Sequence, residues 1–402
     1  MKRVSRERLD VIVVGAGMVG AAAALALARA DLRCAVIEDK PATSPAAGAE
    51  FDLRVVAIAP HSKALLTDLG VWQRLDPQRI APYARMQVVD ALGGAALEFD
   101  AAEYAWPHLG YIVENRAVAG ALWQVLAAEP NIRLLAPDHL ESFETQADGV
   151  RVTLASGGVL DAALLIGADG ISSKVRNDLL IGVDGYAYPQ NGLVAHVDLE
   201  RAHDSIAWQR FLPSGPLAFL PLADGRASIV WTLPEERAQA LLTASEADFE
   251  SQLRRASADR FGRTRLSSSR ALFPLRLQIA QRFAEGKVLL IGDAAHVVHP
   301  LAGQGVNIGF EDVTALIASV ERARASRRPV LSTGDLARWA RERRSEATLA
   351  ARAFDALNRL YSVTDGPLIG ARALGLNLVN RMPGIKRKFA ERAAGIRAGW
   401  RA

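Results

Sequence analysis

The 402-residue sequence has a single cysteine, few aromatic residues and almost no excess of charge. Because Cys34 has no partner in the chain, an internal disulfide is excluded, which suits a reducing compartment. Basic residues number 48 and acidic residues 44, and no aromatic-interleaved basic run is present, so the composition argues against a nucleic-acid partner. Hydrophobic residues make up 50% of the chain, which excludes a disordered protein.

A long uninterrupted hydrophobic span is also missing. The uncharged stretch from Val11 to Ala28 follows several basic residues, as in a signal peptide, but Glu7 and Asp10 interrupt the basic part and three glycines interrupt the apolar part. We therefore interpret this stretch as part of the fold. The sequence predicts a protein that is cytoplasmic or lies peripherally on the inner membrane.

The first motif, VIVVGAGMVG, is a β-branched run followed by Gly15-x-Gly17-x-x-Gly20. The Ala/Leu-rich stretch after it predicts a helix, and residues 33–37 predict a second strand that ends in Glu38. In a dinucleotide fingerprint the glycines allow a tight turn, close approach of a pyrophosphate and close helix–strand packing, while the acid accepts hydrogen bonds from ribose. The motif therefore predicts binding of FAD or NAD, since the acid would repel the 2′-phosphate of NADP.

The stretch KVLLIGDAAHVVHPLAGQGVNIGFEDVTAL (287–316) decides between these cofactors. It predicts a buried strand, a glycine-rich turn and a helix that begins near Gly305. Asp293 directly follows the strand, where a carboxylate can bond the ribityl hydroxyls of a flavin. The free N–H groups of the helix start favour the negative charge of a reduced flavin ring. Gly303 keeps side chains away from the ring and Pro300 stiffens the approach, so the turn favours FAD.

Two histidines in this turn, His296 and His299, have the spacing of a metal pair. No acidic or cysteine ligand accompanies them in a metal-like arrangement, so we predict no metal site and expect both side chains to make hydrogen bonds within the loop.

A third motif, DAALLIGADGISSKVRNDL (161–179), predicts a buried strand, then Asp169-Gly170, then a serine-capped helix. Asp169 at the strand end is placed to hold the phosphate region of the cofactor and the approaching nicotinamide nucleotide.

In this order, GAGMVG, GADGISSKVR and GDAAHVVHPLAGQGVNIGFED resemble the three fingerprints of the single-component flavin aromatic hydroxylases. The segments DLRVVAIAPHSKALLTDLGVW, YIVENRAVAGALW and AFLPLADGRASIVW more closely resemble the ubiquinone-biosynthesis branch of that family. The resemblance covers nearly the whole chain. It implies an FAD-dependent monooxygenase that hydroxylates a polyprenylated phenol or benzoquinol with NAD(P)H and O₂, through a flavin C4a-hydroperoxide. A hydroxylase of a soluble aromatic acid or phenol and a non-catalytic prenyl-lipid carrier on an FAD-type fold are the alternatives.

The resemblance also implies which residues contact FAD. Arg54 matches an arginine near the flavin and pyrophosphate, and Asn115 stands where soluble relatives often have Arg or Gln toward the FAD phosphate. The full set is Gly15, Ala16, Gly17, Met18, Val19, Gly20, Glu38, Arg54, Asn115, Asp169, Gly170, Gly292, Asp293, Pro300, Gly303, Gln304, Gly305, Val306 and Asn307.

No second Gly-x-Gly-x-x-Gly is present, so we expect NAD(P)H to bind transiently on the shared surface. The chemistry rests on the flavin, and no residue is assigned as a nucleophile. His196 and His299 are the candidates for a base that removes the phenol proton.

The scattered motifs predict an α/β fold with a discontinuous, Rossmann-like FAD-binding domain. We expect this domain to comprise residues 1–75, 104–185 and 283–334. Residues 76–103 and 186–282 are predicted to form a second, mostly antiparallel β-sheet domain for the substrate. Phe219, Pro221 and Trp231 are the candidates for the substrate pocket, with ordinary sheet core as the alternative.

Residues 335–402 predict a basic helical C-terminal region. Its last segment, 381–402, has seven Lys/Arg and one acid. This composition fits contact with an anionic membrane or with a protein partner, either a ubiquinone-biosynthesis complex or a second copy of the chain. A solvated terminal helix is the alternative.

Overall fold

The computed structural model describes residues 8–46, 48–298 and 305–395. In it, short β-branched runs form strands and Ala/Leu-rich runs form helices. The strands are, in chain order, β1 (Leu9–Val14), β2 (Cys34–Ile37), β3 (Val55–Ile58), β4 (Ile80–Tyr83), β5 (Arg85–Asp90), β6 (Ala96–Asp100), β7 (Gly110–Glu114), β8 (Ile132–Leu135), β9 (Leu140–Gln146), β10 (Gly149–Leu154), β11 (Val159–Gly167), β12 (Val183–Leu199), β13 (Ile206–Leu212), β14 (Gly215–Pro221), β15 (Ala227–Pro234), β16 (Thr264–Leu266), β17 (Ala271–Ala280), β18 (Ala284–Glu285), β19 (Val288–Leu290) and β20 (His296–Val297).

The helices are α1 (Met18–Arg29), α2 (Pro60–Asp68), α3 (Asn115–Ala128), α4 (Lys174–Asp178), α5 (Glu235–Thr243), α6 (Glu246–Ala256), α7 (Gly305–Ala325), α8 (Thr333–Ser362), α9 (Gly366–Asn380) and α10 (Pro383–Ala393). Across the described ranges, the structure has no helix with the length and apolar character needed to cross a bilayer.

The first sheet has eight strands, with the path β18-β19-β11-β1-β2-β8 and with β10 and β9 attached beside β11. Its strands β19, β11, β1, β2 and β8 run parallel. Parallel strands that are covered on both faces consist of continuous apolar runs, and Val11–Val14 and Cys34–Ile37 are fully buried runs of this kind. Helices α3 and α7 pack against α1, which gives the predicted Rossmann-like arrangement.

The second sheet has nine strands and is antiparallel except for the β5–β13 pair. One face packs against α5 and α6 in a cluster that contains Trp231 and Phe249. The opposite face contacts a three-stranded sheet, β3-β7-β4, through side chains such as Leu220 and Tyr83. The predicted α/β fold class, a Rossmann-like part with a mostly antiparallel second sheet and C-terminal helices, is confirmed.

The two large sheets meet at a short connection after β19. Strand β19 lies in the first sheet beside β11, and β20 pairs with β17 at the edge of the second sheet. The chain therefore passes from one sheet to the other within residues 291–295, so the turn with Asp293 lies at their junction.

Hydrogen bonds between charged side chains hold the C-terminal helices against the rest of the molecule. Arg343 of α8 bonds Asp312 of α7 at 2.7 Å, and Arg372 of α9 bonds Asp90 at the end of β5 at 2.8 Å. Lys386 of α10 bonds Glu103 at 3.1 Å. Helix α9 thereby covers the β5–β6 hairpin at the edge of the second sheet.

Candidate functional site

The three glycines of the first motif have different surroundings. Gly15 has φ +96°, and a Cβ there would lie 2.5 Å from the Ala168 carbonyl oxygen. A Cβ on Gly20 would lie 2.1 Å from the Gly15 carbonyl oxygen. Among the described residues, a Cβ on Gly17 would meet no atom within 4 Å. Gly15 and Gly20 are therefore required by contacts between protein atoms, whereas Gly17 borders open space at the N-terminus of α1.

Glu38 lies directly against this turn. Its carboxylate accepts hydrogen bonds from the Ala16 N–H at 2.6 Å and from the Lys40 N–H at 3.1 Å. Glu38 thus holds the end of β2 against the turn before α1, as the dinucleotide fingerprint requires. Met18 and Val19 are partly exposed in the first turn of α1, beside Gly17.

The turn after β19 is held close to α1. Gly292 has φ +57°, and a Cβ on it would lie 3.2 Å from the Val19 side chain. Asp293 follows with its side chain in contact with solvent. The surrounding protein nevertheless desolvates the carboxyl and raises its pKa, against the lowering influence of His296 and Arg54. These properties place Asp293 in a cleft, with the Arg54 cation near it.

Arg54 precedes β3, and its side chain is exposed. The guanidinium lies over the ring of Phe273, 5.6 Å from the centroid, and Phe273 belongs to β17 of the second sheet. Arg54 therefore connects the three-stranded sheet to the second sheet on the side where Asp293 lies.

A buried ionic network centred on α7 holds the turn that carries Asp293. Asp312 of α7 accepts the Gly292 N–H at 3.0 Å and contacts His296 Nε2 at 2.7 Å through the same oxygen, and its other oxygen accepts from Arg343 Nε at 2.7 Å. Burial would raise the pKa of the Asp312 carboxyl, but His296 and Arg343 outweigh burial and lower it. His296 was expected to bond within its loop, and this expectation is wrong, because its partner lies on α7.

The network was not predicted from the sequence. Asp312 belongs to the quoted NIGFED segment, and a carboxylate on a helix face of otherwise apolar residues was the available signal. Arg343 lies in phase with the buried stripe of α8, whose members are Leu336, Trp339, Ala340, Arg343, Ala347 and Ala351. An arginine in such a stripe must be paired, since an unpaired buried charge is costly.

Helix α7 is attached to β3 by Asn307. Its side-chain Nδ2 donates to the Ala57 carbonyl at 2.8 Å, and its Oδ1 accepts from the Ala59 N–H at 2.9 Å. Ahead of it, Val306 is partly exposed, and a Cβ on Gly305 would meet no atom of the described residues within 4 Å. The predicted site residues His299, Pro300, Gly303 and Gln304 lie outside the described residues.

The third motif caps its own helix. Asp169 accepts from Ser173 Oγ at 2.5 Å and from the Val175 N–H at 3.1 Å, and Gly170 has φ +79°. Arg176 of α4 is buried and donates to the Ala294 carbonyl at 3.1 Å. Arg176 thus fixes this motif to the turn that carries Asp293, a link the sequence did not indicate.

Asn115 begins α3, and its N–H donates to the Arg54 carbonyl at 2.9 Å. Its side-chain Oδ1 is buried and has no hydrogen-bond partner among the described residues. A buried polar atom without a partner is uncommon and suits a ligand contact. Because the oxygen and nitrogen of an amide are assigned from their partners, the same side chain can present a donor to a phosphate.

Two of the three predicted pocket residues lie in the core of the second sheet. Phe219 is 1% exposed and Trp231 is 0% exposed, and both lie in the core between the second sheet and α5/α6. Alternate residues of a strand face opposite sides, and this side faces away from the three-stranded sheet. The placement is that of sheet core, the alternative given above. Pro221 is also buried, at the end of β14.

His196 is buried on β12, and its Nε2 has no hydrogen-bond partner among the described residues. Burial and the nearby Arg226 lower its pKa, so the imidazole is neutral at physiological pH.

The residues around the cleft fit an FAD molecule. The glycine turn and α1 start are open toward a diphosphate at Gly17, Glu38 is at the adjacent strand end, and Asn115 has an unused polar atom. Asp293 offers a carboxylate for hydroxyl groups, and the start of α7 offers the backbone N–H groups of a helix N-terminus.

Comparison with known proteins gives the same assignment. The family described as FAD binding domain matches residues 8–337. The 3-demethoxyubiquinol 3-hydroxylase of Escherichia coli (strain K12) is 36% identical over 387 residues, covering 96% of this chain and 98% of the relative. The ubiquinone hydroxylase UbiL of Rhodospirillum rubrum is 38% identical over 390 residues, covering 96% of this chain and 89% of the relative.

A solved structure supports the fold. The p-nitrophenol 4-monooxygenase PnpA of Pseudomonas putida DLL-E4 superposes with a TM-score of 0.73 and 20% identity, covering 97% of this chain and 99% of that one. The chain therefore belongs to the FAD-binding monooxygenase family that includes the ubiquinone hydroxylases.

Proposed function

We propose that this FAD-dependent monooxygenase hydroxylates the aromatic ring of a polyprenylated phenol or quinol intermediate of ubiquinone biosynthesis, with NAD(P)H and O₂ as co-substrates. The observation that carries the proposal is the similarity, along 96% of the chain, to two hydroxylases named for ubiquinone or a ubiquinol precursor. The cleft at the junction of the two large sheets supplies a place for both the cofactor and the ring.

When bound, FAD supplies hydride acceptance and oxygen activation. The chain supplies the binding groups. We assign the pyrophosphate to the N–H groups at Gly17 and to Asn115, the adenosine ribose to Glu38, and the ribityl hydroxyls to Asp293. The first turn of α7 presents its free N–H groups to the electron-rich edge of the flavin ring.

Asp312 is the residue that positions this turn. It holds the Gly292 N–H and His296 with one oxygen and Arg343 with the other, and it is fully buried. Because each partner limits its motion, the backbone on either side of Asp293 is fixed before any ligand binds. Such preorganisation lets the site bind and orient the ring without first ordering the turn.

The substrate side of the cleft is assigned to the part of the second sheet near Arg54. Phe273 is half-buried there under the Arg54 guanidinium. An aromatic side chain at the cleft can stack on the substrate ring and helps to exclude water. In this assignment Phe273 lines the substrate pocket, the role that the sequence analysis predicted for Phe219 and Trp231.

We further propose that the FAD-binding domain comprises 1–75, 104–185 and 283–334, and the substrate domain 76–103 and 186–282, with 335–402 as a C-terminal helical region. All eight strands of the first sheet fall in the FAD-binding ranges, and most strands of the second sheet fall in the substrate ranges, which supports this division. Strand β20 and the three-stranded sheet β3-β7-β4 join the two parts. A polyprenyl tail must be kept out of water, so we also propose that the protein works peripherally on the membrane that holds the substrate.

The test is incubation of the FAD-loaded protein with NADPH or NADH, O₂ and a short-chain prenylphenol, followed by mass spectrometry. The expected product has gained one oxygen atom, and its formation depends on FAD. Turnover of a soluble aromatic acid but of no prenylphenol would move the assignment to the soluble branch. A colourless protein that takes up no FAD would contradict the enzyme and favour a lipid carrier.

A further inference from the structure

Exposed apolar side chains are concentrated in the C-terminal helices. Twelve large hydrophobic side chains are exposed among the described residues, and eight of them lie between residues 349 and 389. These eight are Leu349, Leu357, Leu360, Leu368, Leu374, Leu378, Met382 and Phe389. Soluble monomers rarely expose a contiguous apolar patch without using it, so this concentration needs a partner.

Helix α9 has two different faces. The inner face is fixed to the β5–β6 hairpin, where Arg372 bonds Asp90, Leu376 packs on the Phe211–Tyr361 stack, and Asn380 accepts the Glu98 N–H. The outer face follows helical spacing and is entirely exposed, through Leu368, Ala371, Leu374, Gly375, Leu378 and, just past the helix, Met382. Leu374 is 73% exposed and Leu378 is 60% exposed.

The charged side chains on this surface are basic, and the acids Glu391 and Glu103 at its border pair with Arg387 and Lys386. No Asp or Glu occurs from residue 366 to residue 390. Arg381, Arg387 and Lys388 are exposed beside Met382 and Phe389, and within the described ranges Arg381 and Lys388 form no ion pair with a carboxylate. An apolar stripe bordered by cations is complementary to a bilayer with anionic head groups.

We propose that the outer face of α9, together with Phe389 of α10, docks on an anionic lipid bilayer. This inference rests on the proposed function in one respect: docking would bring the cleft to a substrate whose polyprenyl tail lies in the membrane. A helix of 15 residues is about 22 Å long, shorter than the hydrocarbon core of a bilayer. With its inner face held by Arg372, α9 lies along the interface with its leucines toward the acyl chains.

A second copy of the chain fits this surface less well. In a two-fold dimer the same patch would meet itself, which would bring Arg381 and Lys388 of both copies together, and neither of them forms an ion pair within the described ranges. A bilayer with anionic lipids instead supplies the opposite charge.

The experiment is co-sedimentation of the FAD-loaded full chain with vesicles of phosphatidylcholine alone or of phosphatidylcholine mixed with phosphatidylglycerol. Three variants are compared with the natural chain: Leu374→Gln with Leu378→Gln, Arg381→Gln with Lys388→Gln, and a control, Leu180→Gln with Val183→Thr. Leu180 is 87% exposed but lies in the turn before β12, outside the proposed surface.

The leucine variant is expected to bind mixed vesicles at least about tenfold more weakly, because two leucines no longer enter the acyl region. The charge variant is expected to lose roughly fivefold per charge on mixed vesicles and little on phosphatidylcholine alone. The control is expected to bind as the natural chain does. FAD content and thermal unfolding should be unchanged in all three, since the substituted side chains are exposed.

Two outcomes would overturn the proposal. One is equal vesicle binding by the leucine variant and the natural chain. The other is a natural chain that is a dimer without lipid and becomes a monomer in the leucine variant, which would make this face a subunit interface. Hydroxylation of a short-chain prenylphenol without vesicles is measured in parallel, so that loss of the proposed activity and loss of lipid binding are separate results.

Discussion

At the scale of single residues, the glycines of the first motif show that one residue type serves two purposes. Gly20 is required because a side chain would collide with the Gly15 backbone, whereas Gly17 faces open space. The first requirement belongs to folding, and we infer that the second belongs to a ligand. The two purposes can therefore be separated by the same substitution at two positions.

Gly17→Ala is expected to leave the free energy of unfolding of the FAD-free protein nearly unchanged and to weaken FAD binding by at least about tenfold, since the methyl group would occupy the path of the pyrophosphate. Fluorescence titration of the FAD-free protein measures this. Gly20→Ala is the matched control and should instead lower the thermal unfolding temperature, because its Cβ would lie 2.1 Å from the Gly15 oxygen. Normal FAD affinity in Gly17→Ala would contradict the assignment.

Asp312 gives a residue-scale prediction about pH. Its pKa is lowered in the folded protein, so the stability it contributes is present above the unfolded-state pKa of about 3.9 and is lost as the pH falls through the folded-state value. Asp312→Asn should cost roughly 1–3 kcal/mol at neutral pH, because buried His296 and Arg343 lose a charged hydrogen-bond partner, while Arg343 keeps its ion pairs with Glu311 and Glu346. It should also make the free energy of unfolding less dependent on pH in the acid range.

Denaturant unfolding at a series of pH values tests this prediction. Asp365→Asn, at an exposed position before α9, is the control and should behave as the natural chain. An Asp312→Asn protein as stable as the natural chain at pH 7 would show that the network does not hold the turn.

At the scale of the elements, buried polar contacts as well as apolar packing place three successive helices, α7, α8 and α9. Asn307 attaches α7 to β3, Arg343 attaches α8 to α7, and Arg372 attaches α9 to β5. Such contacts are strongly directional, so they determine which face of a helix points inward. For α9 this leaves the leucine face outward.

Arg372→Leu is expected to loosen α9 and α10, because the Asp90 carboxylate would be buried without its partner at a cost of about 3–5 kcal/mol. Hydrogen exchange and limited proteolysis should show faster opening of residues 363–395, with FAD retention unchanged. Adding Asp90→Asn to this variant should restore part of the protection, since a neutral amide is less costly to bury than a carboxylate. Unchanged protection in the single variant would contradict this role for the pair.

At the scale of the whole molecule, the cofactor cleft collects residues from distant parts of the chain. Gly17 and Asn115 come from the first third of the sequence and Asp293 from the last third, and the junction between the two large sheets brings them to one region. A ligand that contacts all of these parts therefore stabilises the first sheet, the three-stranded sheet and α7 together.

Removal of FAD should lower the thermal unfolding temperature, and adding FAD at about 100 times its dissociation constant should restore about 2.7 kcal/mol. Differential scanning calorimetry measures the shift. With FAD bound about tenfold more weakly, Gly17→Ala should recover only about 1.4 kcal/mol at the same FAD concentration. If FAD stabilised both proteins equally, the cofactor would not bind against the Gly17 turn.

Much of the fold could be predicted from local patterns. The strands before Gly15 and Gly292, the helix after Gly17 and the antiparallel character of 186–282 follow from residue type and spacing, and the structure contains these elements. Phe219 and Trp231 could not be oriented in this way, because the faces of a strand that is buried on both sides are both apolar. The hydrogen-bond partner of His296 could not be predicted from the sequence either, since Asp312 approaches it only when α7 packs against the turn.

The sequence by itself determined the cofactor class and the family, because glycine spacing and strand-end acids are local features that survive without knowledge of the rest of the fold. Tertiary structure alone decided that Asp312 and Arg343 hold the turn, that Phe273 rather than Phe219 borders the Arg54 side of the cleft, and that the leucines of α9 face outward. These properties depend on which faces of distant elements meet, and burial and charge pairing at those contacts select one arrangement of the chain.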